Sequence, residues 1–446
     1  MNNSSSKPTG SRLSGFDLYR SGWWQWLIWA LLFTSLAIDW SSIYYRYFDL
    51  TSQLQEKIFV ESCTGPRWIA YLYLLFYLSV FFLILFIFVS GKINWPRPVS
   101  ISVLLYGAMW LCAGYLLVFL TKDPLPYLTK ISQLSSKLAP GTLLVIGLFF
   151  IGANPFCWAK IPRIVNAMAW VCIALVVVGV CKIDFTSRFL AMRYLNSSVK
   201  VLGLVTLVPF AFYSLKKKTL WFKVSLALPV LAMVVCGVFT QTRLYFVVLG
   251  IYLFTYFLLS LRRAPIRQSV ATAGTVILIA FGCILLAIAS YDTILKRSTN
   301  HDNQLLSASV GLVNRIDEDT RTYQYSPDSN FFQHFWNSFP WGAGYPSEDQ
   351  YNGEGLEGID NGYLNGTYIA GLPMMTCFFF LLCVPVLRSL FLKLNPLDSA
   401  IVAGAFTYVC RLGSSTVIVS DVQLVIFVLF AGRCAYLVSN ERNHQV

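Results

Sequence analysis

The chain has 446 residues, 56% of them hydrophobic and only 12% charged, with a mean hydropathy of +0.61 and a formal net charge of +13. A soluble domain carries about 25% charged residues, and half that share cannot cover the surface of a soluble protein of this length. The bases sit mostly between apolar runs, so the positive balance points to membrane topology and not to a nucleic-acid partner.

Residues 1–21 form a polar tail. The apolar run that follows is long, rich in Trp and without a small-residue cleavage site, which reads as a retained first span and not as a removed signal peptide. Apolar runs lie near 22–44, 68–90, 99–120, 140–158, 164–181, 200–215, 223–240, 244–261, 269–290, 362–387, 399–412 and 422–438. A span needs about 20 residues, so the length fits about 12 spans, with 10–14 compatible. Inside a bilayer the backbone must satisfy its own hydrogen bonds, which makes these runs helices.

The expected fold is therefore all-α, a polytopic transmembrane helical bundle with one large external loop domain between late spans. Nine spans fall within 22–290, the large loop covers 291–361, three more spans fall within 362–438, and residues 439–446 form a second cytoplasmic tail. Loop charge sets the orientation. One alternating set of short loops carries 18 bases against Asp17, Asp398 and Glu441, while the other set carries 16 bases and 18 acids. Short basic loops stay in the cytoplasm, which puts both termini there and the large loop outside. The 11 Cys lie mostly in apolar stretches, as at Cys112, Cys172, Cys236 and Cys377. No Cys pair or His stands at zinc spacing, so they read as small packing residues and no metal is implied.

Three places can carry chemistry. The junction Thr240-Gln241-Thr242-Arg243 sets Arg243 at the outer end of a tight helix–helix turn. A guanidinium there either snorkels to headgroups or clamps an anion such as a phosphate. The external loop 182–200 carries Arg188 and Arg193, followed by Asn196. Cations on the acid-rich face suit an anionic ligand or lipid phosphates. The large loop holds Asp317-Glu318-Asp319-Thr320-Arg321, then an aromatic stretch with His334, then Pro340-Trp341-Gly342-Ala343-Gly344-Tyr345. It closes with Asp360-Asn361-Gly362-Tyr363-Leu364 and runs into Ile369-Ala370-Gly371-Leu372. Asp360, at or just before a helix N-terminus, is either a cap or a carboxylate that orients or deprotonates an incoming hydroxyl. Phosphate-binding glycine loops, zinc-protease helices and serine elbows are absent from the sequence.

In order and spacing, residues 240–243, 317–321, 340–345 and 360–364 with Gly371 resemble the bacterial O-antigen polymerase and O-antigen ligase superfamily. The likeness covers roughly residues 180–390. It implies a metal-independent, cofactor-free membrane glycosyltransferase of the inner membrane, taking glycan from a polyprenyl diphosphate-linked oligosaccharide. Arg243 and Arg321 would act with Asp360 in catalysis. Arg188, Arg193, Asn361, Tyr363, Trp341 and His334 would bind substrate. Membrane lipids, and a chain-length regulator and flippase of the same pathway, would be partners. Ligases of the superfamily usually carry His where this chain has Asp360, which favours the polymerase branch. Glycines expected after Arg188 are missing, so either Arg188 or Arg193 can be the substrate-facing cation. A ligase, another polyprenyl-linked glycosyltransferase and a lipid-linked oligosaccharide flippase are the alternatives, although the internal repeats common in transporters are not visible.

Overall fold

The computed structural model describes residues 22–48, 67–89, 139–182, 244–262, 330–342, 361–413 and 422–445. Among these residues the chain is all-helical, with no strand. The helices are α1 (Trp23–Phe48), α2 (Arg67–Val89), α3 (Ala139–Ala153), α4 (Ile161–Lys182), α5 (Leu244–Leu261), α6 (Asn330–Ser338), α7 (Gly362–Phe378), α8 (Val384–Ser389), α9 (Pro396–Leu412) and α10 (Val422–Gln445). A 3₁₀ turn, Cys157–Ala159, precedes α4, and a π turn, Phe379–Cys383, joins α7 to α8.

Eight of the predicted apolar runs fall on described residues and all eight are helical. The other four, near 99–120, 200–215, 223–240 and 269–290, lie outside them. The expectation for 140–158 needs correction, because α3 stops at Ala153. Pro155 cannot continue the helix, and Asn154 Oδ1 accepts the Phe156 N–H at 3.0 Å to start the turn. At the other end of the chain, α10 runs beyond its apolar stretch to Gln445. Residues 439–445 contain no Gly or Pro to stop it.

Gly371–Ser389 and Gln423–Asn440 are long and apolar enough to cross a membrane. Elsewhere the apolar surface is only partly covered. On α2, Phe76, Val80 and Leu83 are buried, while Leu74, Leu78, Phe81 and Leu85 on the opposite side are exposed. α2 is thus apolar on both its buried and its exposed sides.

The centre of the bundle is α9 and α10. No residue of α9 between Pro396 and Leu412 is exposed, and Gln423 to Gly432 of α10 are all buried. Tyr408 stacks on Phe427 at 4.2 Å between centroids. The approach of α3 to α10 depends on two glycines. A Cβ at Gly152 would overlap the Leu429 carbonyl, and one at Gly432 would overlap the Phe149 carbonyl. Small residues allow such backbone contact, which is how helices pack when there is no water to exclude.

One end of the bundle is tied together by charge. Arg433 Nε and NH2 donate to the two oxygens of Asp398 at 2.8 and 3.2 Å. The Asn395 side chain caps α9, accepting the Asp398 N–H at 2.8 Å and donating to its carboxylate. The Arg433 guanidinium also lies 5.7 Å from the Trp158 ring and 5.2 Å from that of Tyr436. Near this end, Arg262, just after α5, donates to the Leu390 carbonyl and covers the Phe391 ring at 5.8 Å. Because α5 finishes beside the segment that leads into α9, and packs along α9, the two helices are antiparallel. The start of α5 therefore lies toward the far end of α9.

Candidate functional site

The far end holds the described motif residues Asn361 and Tyr363. The cap of α7 is Asn361, in extended conformation (φ −124°, ψ 107°), whose Oδ1 accepts the N–H groups of Tyr363 and Leu364 at 3.0 and 3.1 Å. Two of the helix's first unpaired donors are thereby satisfied. Asn361, not Asp360, is thus the capping residue. Two residues on, the Tyr363 hydroxyl donates to the Val409 carbonyl at 2.9 Å. Val409 is in the last turn of α9, where carbonyls have no intrahelical partner, so Tyr363 pins the start of α7 to the end of α9.

About two turns further on, α7 breaks. Gly371 adopts φ 83°, ψ 160°, and Pro373 follows. The Leu372 N–H released by the break donates to the Pro340 carbonyl at 2.8 Å. The Gly371 Cα is packed so closely against the Pro340–Trp341 backbone that a Cβ would overlap the Trp341 carbonyl oxygen. Glycine is needed twice over here, for the positive φ and for the close approach. Two pieces of sequence thirty residues apart, 340–342 and 371–372, are thus docked into one another.

The segment that docks is the end of α6. Phe335 is buried, whereas Trp336, Phe339 and Trp341 are exposed. The rings of Phe335, Trp336 and Phe339 lie 5.3–5.9 Å apart. The turn that carries Trp341 is closed by the Ser338 carbonyl, which accepts from Trp341 N–H at 3.0 Å and Gly342 N–H at 2.9 Å. His334 is half-buried on the same helix. The result is a small aromatic surface fixed to the kink of α7.

Of the predicted site residues, Asn361, Tyr363, Trp341 and His334 are described, and the first three are tied to α7 or α9. Asn361 and Tyr363 use their side-chain oxygens on backbone, which helps place the helices. Asp360, Arg243, Arg321, Arg188 and Arg193 lie outside the described residues. In the chain, Asp360 directly precedes the cap Asn361, and Arg243 directly precedes Leu244, where α5 begins. No cluster of three His, Cys, Asp or Glu side chains that could hold a metal occurs among the described residues.

No protein-family model, curated protein or solved structure matches this chain.

Sequence reasoning passed over Arg411. It was only one base among many in the acid-balanced loops, yet it stands in the last turn of α9 and is 7% exposed. The signal for it was an arginine inside the apolar run 399–412, with no neighbouring basic cluster to mark a loop.

Proposed function

We propose that this chain is a multi-pass inner-membrane polymerase of a surface polysaccharide, joining repeat units carried on polyprenyl diphosphate. What supports this most is the meeting of motif pieces that are separate in sequence. The Pro340–Trp341 turn docks on Gly371, and the Asn361–Tyr363 start of α7 is pinned to α9. The resemblance to the O-antigen polymerase and ligase superfamily was read from these same pieces. The proposed topology has about 12 spans, both termini in the cytoplasm and the large loop outside. In that orientation the Asp398–Arg433 end is cytoplasmic and the Asn361–Val409 end is the outer one.

In this reading the hydroxyl oxygen of an acceptor sugar attacks the anomeric carbon of the donor. The bond from that carbon to the diphosphate oxygen breaks, and the diphosphate leaves with the electron pair. Asp360 orients the hydroxyl and takes its proton. Arg243 and Arg321, with Arg188 or Arg193, neutralise the charge that builds on the leaving group, which is the dominant electrostatic demand of such a transfer. Trp341, and Trp336 and Phe339 of the same segment, offer exposed apolar faces on which sugar rings stack.

The test is a surface-polysaccharide gel from a deletion strain complemented with wild type, Arg243→Ala or Asp360→Ala at equal protein level. Loss of the ladder with single repeat units still reaching the surface supports a polymerase, and failure of both variants to restore it supports the assigned residues. Long polymer left on the polyprenyl carrier would instead identify a ligase. Repeat units trapped on the cytoplasmic leaflet would identify a flippase.

A further inference from the structure

We propose that the corner where the α3–α4 turn meets the start of α1 is a docking surface for the headgroup of an anionic phospholipid, with Lys160 and Arg163 holding its phosphate; the proposal does not rest on the polymerase reading.

Pro155 ends α3, and the chain turns through Cys157–Ala159 into α4. Trp158 anchors that turn inward. Its side chain is buried, donates to the Gly152 carbonyl and faces the Arg433 guanidinium. The flanking residues point the other way: Phe156 is 80% exposed, and Lys160 is exposed. One turn further on, Arg163 is also exposed, its N–H bonded to the Lys160 carbonyl at 3.0 Å. Two bases thus stand on successive turns of one face. The Lys160 ammonium reaches across to α1, 4.0 Å from the point where a Cβ on Gly22 would stand, and the Gln25 amide nitrogen is 3.1 Å from that same point. An ammonium and an amide donor from segments distant in sequence therefore converge. Beside them in the first turn of α1, Trp23 and Trp26 are 67% and 73% exposed.

The chemistry of this corner selects its occupant. Among the described side chains the only acid is Asp398, and Arg433 takes it, so the complement of Lys160 and Arg163 is an anion from outside the protein. A free anion would serve the bases but leave two indoles and Phe156 in water. A phospholipid serves both, because indoles favour the headgroup level of a membrane and lysine reaches headgroup phosphates along its apolar stem. The depth also fits. Arg433, which Trp158 faces, is in the second half of Gln423–Asn440, a helix long and apolar enough to cross a membrane. The corner therefore stands toward the side of the bilayer where that helix ends.

The experiment measures lipid retained by the purified full chain in neutral detergent, by native mass spectrometry, with phosphatidylglycerol and phosphatidylcholine as probes. The wild-type chain should hold phosphatidylglycerol more tightly than phosphatidylcholine. Lys160→Gln with Arg163→Gln should weaken that binding roughly 30-fold, the loss expected of two bases at an anionic surface. The control is Arg388→Gln with Lys393→Gln, which removes the same charge from two other exposed bases toward the same end of the bundle and should leave binding unchanged. Should the first double variant fail to fold, Lys160→Glu decides alone and should abolish the preference for phosphatidylglycerol. Equal retention of the two lipids by the wild-type chain overturns the proposal. An equal loss in the control also overturns it, since diffuse surface charge and not this corner then holds the lipid. Displacement of phosphatidylglycerol by an equal concentration of inorganic phosphate overturns the lipid as occupant, and wild-type retention in the folded Lys160 variants removes the corner altogether.

Discussion

Replacing Gly371 with Ala should open the junction between the large loop and α7. Gly371 sits at φ 83°, and an alanine there costs about 1–3 kcal/mol in backbone strain alone. The added methyl overlaps the Trp341 carbonyl, so the 340–341 backbone must retreat. That retreat breaks the 2.8 Å bond from Leu372 N–H to the Pro340 carbonyl. A donor left unpaired in apolar surroundings costs about 1–3 kcal/mol more. Even about 2 kcal/mol in total multiplies the opened population roughly thirtyfold. Cleavage by chymotrypsin within 330–342, which offers Trp336 and Trp341, should accelerate by a similar factor, since proteolysis follows the open population when closing is fast. Gly250→Ala is the internal control. It lies in α5 with nothing within 4 Å of an added Cβ, so the same change should be neutral or stabilising by about 0.5–1 kcal/mol. If Gly371→Ala is cleaved at the wild-type rate and melts with Gly250→Ala, the docking described above is wrong.

Tyr363→Phe should lower the melting temperature in detergent, because it strands the Val409 carbonyl at a cost of about 1–3 kcal/mol. Melting identical to wild type would show that α7 is not pinned there. Removing one partner of the Asp398–Arg433 pair, whose side chains are only 3% and 13% exposed, should destabilise by about 3–5 kcal/mol. The double variant Asp398→Ala with Arg433→Met should cost clearly less than the sum of the two, and simple additivity would contradict a direct pair. Gly432→Ala should force α3 and α10 apart at the Phe149 carbonyl, with a loss of about 1–3 kcal/mol in thermal unfolding.

The helices were legible because their cause is local. A run of about 20 apolar residues must close its own hydrogen bonds wherever water is absent, so the limits of α5 could be read directly from the chain. Loop charge sorted Arg262, Asp398 and Arg433 into one class, and they do gather toward one end of the bundle. A proline was enough to shorten α3, although the hydropathy of 140–158 had hidden it.

Tertiary structure alone decided how the pieces meet. Asp360 and Asn361 are both good capping residues by type, and only the entry angle of the chain into α7 gave the cap to Asn361. That the Tyr363 hydroxyl donates to a helix end 46 positions away was not legible in the chain. Gly371 could be seen to matter, but not that a loop carbonyl fills the break it makes. The burial of Arg411 shows only in the packing of α9, none of whose residues is exposed. Hydropathy and charge report where each residue stands relative to water, which is a property of the segment. Who satisfies an orphaned carbonyl, or who overlaps a glycine, depends on segments distant in sequence, and only their packing determines it.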